Sequence, residues 1–158
     1  MGKINYGRVI LGGVVGGIIA FVLDSLVNVI WLGQQWLDTM KSLNRPNGNP
    51  GPFFLCLFLA ECVGAILTIW VYAAVRPRFG AGLRTSVYAG LVAWVFGILL
   101  PHVVQVAQGL YPLRLMICDT GADLLIAVFA AIIGCALYKE AESNIADPAT
   151  VEARHTTV

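Results

Sequence analysis

Four carboxylic acids and one imidazole interrupt otherwise apolar runs of this sequence: Asp24, Glu61, His102, Asp119 and Asp123. Ionisable side chains are costly in hydrocarbon, and where they occur they serve proton relays, ion paths or ligand sites. Carboxylates with an imidazole also make a ligand set for a divalent metal, with Glu61, His102, Asp119 and Asp123 as the ligating candidates. No ExxH or HExxH spacing is present, so a metal here rests on proximity in space rather than on a motif. Asn28 and Gln105, also within apolar runs, would add amide groups to the same pocket. Four carboxylates in one low-dielectric layer cannot all be charged without compensation. Protons shared among them, a bound cation, a protonated His102 or the nearby Arg114 would supply it.

Spacing gathers these residues onto faces. Asp119 and Asp123, in "LMICDTGADLLIAV", are i,i+4 neighbours whose helix face continues through Ala127, Ala130, Ala131 and Gly134. Gly13, Gly17, Ala20, Asp24 and Asn28 form a similar stripe, and Glu61 shares a face with Gly64, Ala65 and Thr68. Small residues beside the acids suit close helix packing, so these faces should turn towards one another. Pro101 removes a backbone donor and loosens the preceding turn where His102 and Gln105 emerge. Inter-helix hydrogen bonding that merely fixes packing is the competing role for each acid. "GGVVGG" lies inside an apolar run rather than after a strand, so it reads as helix packing, not phosphate binding. Ser25, Ser86 and Thr120 have no recognisable base and relay, which leaves hydrolase chemistry without support.

The elements that must carry these faces are set by composition. The 158 residues are 58% hydrophobic and 12% charged, where a soluble domain is about 25% charged. Four apolar segments, approximately 8–32, 52–75, 83–108 and 113–138, each supply the ~20 helical residues that cross a hydrocarbon core. The expected fold is all-α: a polytopic membrane protein with four transmembrane helices in an antiparallel bundle. Alternating β-type segments are absent from the sequence. The first segment is too long for a signal-peptide core and reads as a retained helix. Counted from the ends of these segments, every deep ionisable residue falls in one half of the membrane. Asp24, for example, is eight residues, or roughly 12 Å, from the end of its span.

Basic residues orient the bundle. Lys3, Arg8, Arg76, Arg78, Arg84, Lys139 and Arg154 fall on one side, against Lys41, Arg45 and Arg114 on the other. The positive-inside rule then places both termini in the cytoplasm and opens the acidic layer outward. In the first outer loop, Trp36, Met40 and Leu43 recur at helical spacing and predict a short interfacial helix, a lid or an inert cover. "RPNGNPGP" then turns the chain back. Residues 139–158 form a polar cytoplasmic tail in which His155 reads as tail, not ligand. Two outer-looped helix pairs in succession resemble a parallel repeat of the kind used in transport folds. Cys56, Cys62, Cys118 and Cys135 read as small buried hydrophobes, although Cys56 and Cys118 lie at the same membrane face. No basic cluster with interleaved aromatics is present, so nucleic acid is excluded as a partner.

The opening "NYGRVILGGVVGG", the acid and Asn28 later in that span, and "MKSLNRP" in the first loop resemble small uncharacterised bacterial four-span membrane proteins. The resemblance implies a multi-pass protein of the bacterial cytoplasmic membrane and carries no activity or site. The leading expectation is a binding protein or small transporter whose pocket takes a cation, a proton or a cationic solute. An accessory subunit of a respiratory or photosynthetic membrane complex is the main alternative, and a membrane-embedded metalloenzyme the third. Catalysis is disfavoured. Lipid and further membrane subunits, copies of itself included, are the expected partners, and a divalent metal the one cofactor suggested.

Overall fold

The computed structural model describes residues 4–45 and 50–140, and among these every regular element is helical. Asn5 starts the first helix, its side-chain oxygen accepting from the Arg8 N–H at 3.2 Å. That bond satisfies one of the donors a helix start leaves free. Helix α1 (Tyr6–Leu26) runs into a π-helical turn (Val27–Trp31), and α2 (Gly33–Ser42) covers the expected interfacial segment. Helix α3 (Pro50–Phe79) follows. Helix α4 (Leu83–Trp94), a second π-helical turn (Val95–Leu99) and α5 (Leu100–Ala107) make one continuous rod, and α6 (Leu113–Ala136) comes last. Four stretches, Tyr6–Trp31, Pro50–Phe79, Leu83–Ala107 and Leu113–Ala136, are long and apolar enough to cross a membrane.

The helix ends depart from the sequence expectation for identifiable reasons. Helix α3 continues to Phe79 through Pro77, which lies in the last turn and so forfeits only one ladder bond. Gly80, at φ +82°, then stops it, with its N–H on the Arg76 carbonyl at 2.8 Å. Helix α6 ends at Ala136, and Leu137 and Tyr138 close it with tighter bonds to Gly134 and Cys135. The polar tail expected beyond Glu140, with His155 and Arg154, lies outside the described residues, as do Lys3 and residues 46–49, where a turn is expected.

Glycine sets the packing. Gly12, Gly13, Gly16 and Gly17 are all buried on α1. A Cβ at Gly17 would sit 2.5 Å from the Cys62 Cα, one at Gly13 would meet the Ile66 backbone, and one at Gly12 the Gly134 carbonyl. Without those Cβ atoms α1 approaches α3 on one side and α6 on the other to backbone contact. Rising numbers along α1 (13, 17) meet falling numbers along α3 (66, 62). Helix α4 packs along α6, where Gly90 faces Val128 and Ala131. The two helix pairs, α1 with α3 and α4 with α6, meet through α1 and α6.

One end of the bundle is closed by tyrosines. The Tyr138 hydroxyl accepts from the Asn5 N–H at 3.4 Å, its ring meets Tyr72 edge-on, and Arg76 lies over its other side. Tyr72 in turn accepts from the Gly82 N–H at 3.3 Å. At the opposite end Leu32, Leu115 and Met116 are buried beneath Trp36 and Tyr111. The remaining apolar surface faces outward: Ile30 is 76% exposed, Leu125 72% and Phe96 70%. Apolar exposure on this scale calls for lipid or protein cover. All four cysteines are free, Cys56 and Cys118 included.

Candidate functional site

Helix α6 supplies the centre of the site. Asp119 and Asp123 lie one turn apart on its packed face, both buried, together with Ala130, Ala131 and Gly134. His102 reaches them from α5. Its Nε2 stands 3.9 Å from Asp119 Oδ2, beyond hydrogen-bonding distance, and its Nδ1 is 2.8 Å from the Thr120 hydroxyl. One donor atom from each of His102, Asp119 and Asp123 lies within 4.8 Å of the other two. The second oxygen of Asp119, Oδ1, is buried without a hydrogen-bond partner among the described residues. A buried acceptor left in that state costs about 1–3 kcal/mol, so something that binds it is favoured.

Helix α1 supplies the facing wall. Asp24 is buried and accepts from Asn28 Nδ2 at 2.8 Å, while Asn28 Oδ1 accepts from the Trp36 indole N–H at 2.6 Å. Helix α2 is therefore bonded into the wall of the site through Trp36. The carboxyls of Asp24 and Asp123 adjoin, and Asp119 and Glu61 are within electrostatic reach of Asp123. Adjoining carboxyls need a shared proton or a cation between them.

Both π-helical turns border this group. Asn28 belongs to the first, and the second ends just before Pro101 and His102. Pro101 has no N–H to give to the Gly97 carbonyl, and its ring would crowd that carbonyl in a regular turn. The turn widens instead, with Leu100 N–H bonded to Val95 O, five residues back. A widened turn of this kind redirects the side chains that follow it.

Among the residues marked by sequence, the structure gathers His102, Asp119 and Asp123 closely and sets Asp24 with Asn28 against them. Glu61 is half-buried and stands apart, lining a cleft of about 260 Å³ with Gly64, Thr68, Gly97, Ala127 and Ala131. Around Glu61 and Gly64 its face on α3 thus borders open space, while Thr68 further along is buried. Gln105 is half-buried, and among the described residues no hydrogen bond joins its side chain to the group. Arg114 is exposed and forms no ion pair with the acids among the described residues. Three polar participants had no sequence signal: Thr120, Trp36 and Trp94, whose indole donates to the Thr120 carbonyl at 2.9 Å. Thr120 lies about 100° round the helix from Asp119, off the acidic face, and joins the site because the His102 ring spans both positions.

A sequence profile of a family described as "Protein of unknown function (DUF1761)" matches residues 11–136, which take in most of α1 and all of α2 to α6. No curated protein and no solved structure matches the chain.

Proposed function

The chain belongs to the DUF1761 family, and from its own residues we propose that it is a multi-pass membrane protein that binds a cation in a buried acid–histidine pocket. One observation carries this reading: three donors of His102, Asp119 and Asp123 converge within 4.8 Å. The partnerless Asp119 Oδ1 beside them supports it. Asp24 and Glu61 add negative field, and transport of the cation, of a proton or of a cationic solute would use the same acids.

The topology belongs to the proposal. Opposed pairings along α1 and α3 support an antiparallel four-helix bundle. The Asn5–Tyr138 bond supports chain ends on a common side. Arg8, Arg76, Arg78, Arg84 and Lys139 support the cytoplasm as that side. The pocket then opens outward under α2, in the bacterial cytoplasmic membrane that the opening sequence resembles. The outward apolar surface supports association with copies of itself or other membrane subunits.

The test replaces both α6 acids, Asp119→Asn with Asp123→Asn, in protein reconstituted into proteoliposomes. Cation binding, measured by equilibrium dialysis over a panel of monovalent and divalent ions, should vanish together with any pH-dependent uptake. A double variant that binds and takes up cations like the parent protein refutes the reading.

A further inference from the structure

Two hydrogen bonds behind His102 and the gap in front of it say more about the occupant than the acids do. A neutral imidazole carries one N–H, and whichever nitrogen holds it leaves the other free as a ligand. Nδ1 is 2.8 Å from the Thr120 hydroxyl, an acceptor able to hold that N–H. Thr120 is itself fixed, because the Trp94 indole N–H binds its carbonyl at 2.9 Å and ties α4 to α6 at that residue. In the tautomer in which Nδ1 donates to that hydroxyl, the free lone pair falls on Nε2, which faces Asp119 Oδ2 at 3.9 Å. Fixing one ring nitrogen so that the other points at an ion is the usual role of a residue behind a metal-binding histidine.

The distances agree with an ion. Ligands about 2.1 Å from a common centre lie about 3.0–3.5 Å apart at octahedral to tetrahedral angles. The three donors lie within 4.8 Å, so closing onto an ion needs side-chain movement of about an ångström and no backbone shift. Asp119 is 5% exposed, and its Oδ1 is buried with no hydrogen-bond partner among the described residues, which leaves an acceptor beside the three donors for an ion to satisfy. Calcium and magnesium select oxygen-only shells of six or more ligands, whereas a shell with an imidazole suits first-row transition ions.

Building on the cation reading above, we propose that the pocket takes a first-row divalent transition-metal ion on His102 Nε2 and one carboxylate oxygen each from Asp119 and Asp123, with Thr120 as the positioning residue that fixes the ring. Glu61 and Gln105 are outside the shell. Three protein ligands leave coordination positions for water or a further ligand.

The probe is Co²⁺ added to the full, metal-stripped protein in detergent, followed by its visible absorption and by dialysis. One Co²⁺ should bind per chain, be displaced by Zn²⁺, and be unaffected by a hundredfold excess of Mg²⁺. His102→Gln should weaken Co²⁺ at least tenfold. Thr120→Val should weaken it several-fold and shift the absorption bands, and Thr120→Ser should restore both, which a merely structural threonine would not do. Circular dichroism of each variant separates lost ligation from lost folding. Binding of Co²⁺ that His102→Gln leaves unchanged, or of Mg²⁺, Ca²⁺ or Na⁺ in preference to Co²⁺, overturns the inference while leaving the cation reading intact. If no cation binds the parent protein, the cation reading fails and this inference fails with it.

Discussion

Gly17 is the sharpest test of how the site is held together. It lies seven residues before Asp24 on the same stripe of α1, where a Cβ would stand 2.5 Å from the Cys62 Cα and 2.9 Å from its nitrogen. Real Cβ atoms essentially never approach closer than 3.0 Å, and ordinary contact starts at 3.4 Å, so Gly17→Ala must part α1 and α3 by at least about half an ångström. The atoms in the way are backbone, and no rotamer change relieves them. Overpacking of this kind costs about 1–3 kcal/mol, against which alanine returns about 1 kcal/mol of helix propensity. Gly121 on α6 is the control: a Cβ there meets nothing within 4 Å. The propensity gain is common to Gly17→Ala and Gly121→Ala and cancels in their difference, leaving the packing term of about 1–3 kcal/mol. Reversible unfolding in a detergent–SDS titration measures it. If the two variants agree within about 0.5 kcal/mol, the span that ordinary surface substitutions cover, backbone contact between α1 and α3 does not hold the bundle.

Three further outcomes follow from the same geometry. Trp36→Phe keeps the ring against Tyr111 but removes the 2.6 Å bond to Asn28; stability should fall by about 1 kcal/mol, and an unchanged unfolding midpoint would show that α2 is not anchored there. Pro101→Ala returns an N–H able to reach the Gly97 carbonyl, so the π-helical turn should relax and rotate what precedes it by roughly 100° relative to His102. Cation binding should drop at least tenfold with helix content by circular dichroism retained, and parent-like binding would contradict the role given to that turn. In a cysteine-free background, an impermeant maleimide added to intact cells should label Leu110→Cys and spare Ala81→Cys until lysis. The reverse pattern would invert the proposed orientation.

The long helices were readable because their signal is physical and redundant: each is a stretch of more than 20 residues with high mean hydropathy, whatever its neighbours do. The packed faces were readable where both sides pack. Of the stripe Gly13, Gly17, Ala20, Asp24 and Asn28 all but the half-buried Asn28 are buried, and on α6 Asp119, Asp123, Ala130, Ala131 and Gly134 are buried while Ala127 is half-buried at the cleft. The face carrying Glu61 has the same composition yet lines a cleft, because small residues permit close approach without compelling it. Thr120 and Trp94 were illegible for a different reason. Their bonds depend on how α4 and α5 are phased against α6, and the π-helical turn between them breaks the 3.6-residue count that face assignment relies on. Trp36 was placed on a short helix correctly, but a bond to a residue eight positions back is a matter of where that helix folds.

The cleft separates Glu61 from the other acids. Helices α3 and α4 meet where Gly82 bonds to Tyr72, and the cleft lies further along, between Ala60–Ile69 of α3 and Ala93–Ile98 of the α4 rod. Its volume of about 260 Å³ exceeds the ~30 Å³ that one water occupies several-fold, and its walls are mostly alanine and glycine. Gly97 contributes to that wall from within the π-helical turn set by Pro101, so a single backbone feature shapes both the cleft and the approach of His102. Glu61 belongs to the cleft and also lies within electrostatic reach of Asp24 and Asp123. The acids therefore divide by position: Asp119 and Asp123 converge with His102, while Glu61 lines the cleft and reaches the others through field alone. On the cation reading proposed above, that division gives binding to Asp119 and Asp123 and only a supporting field to Glu61, different work for carboxylates that sequence depth alone had placed in one layer.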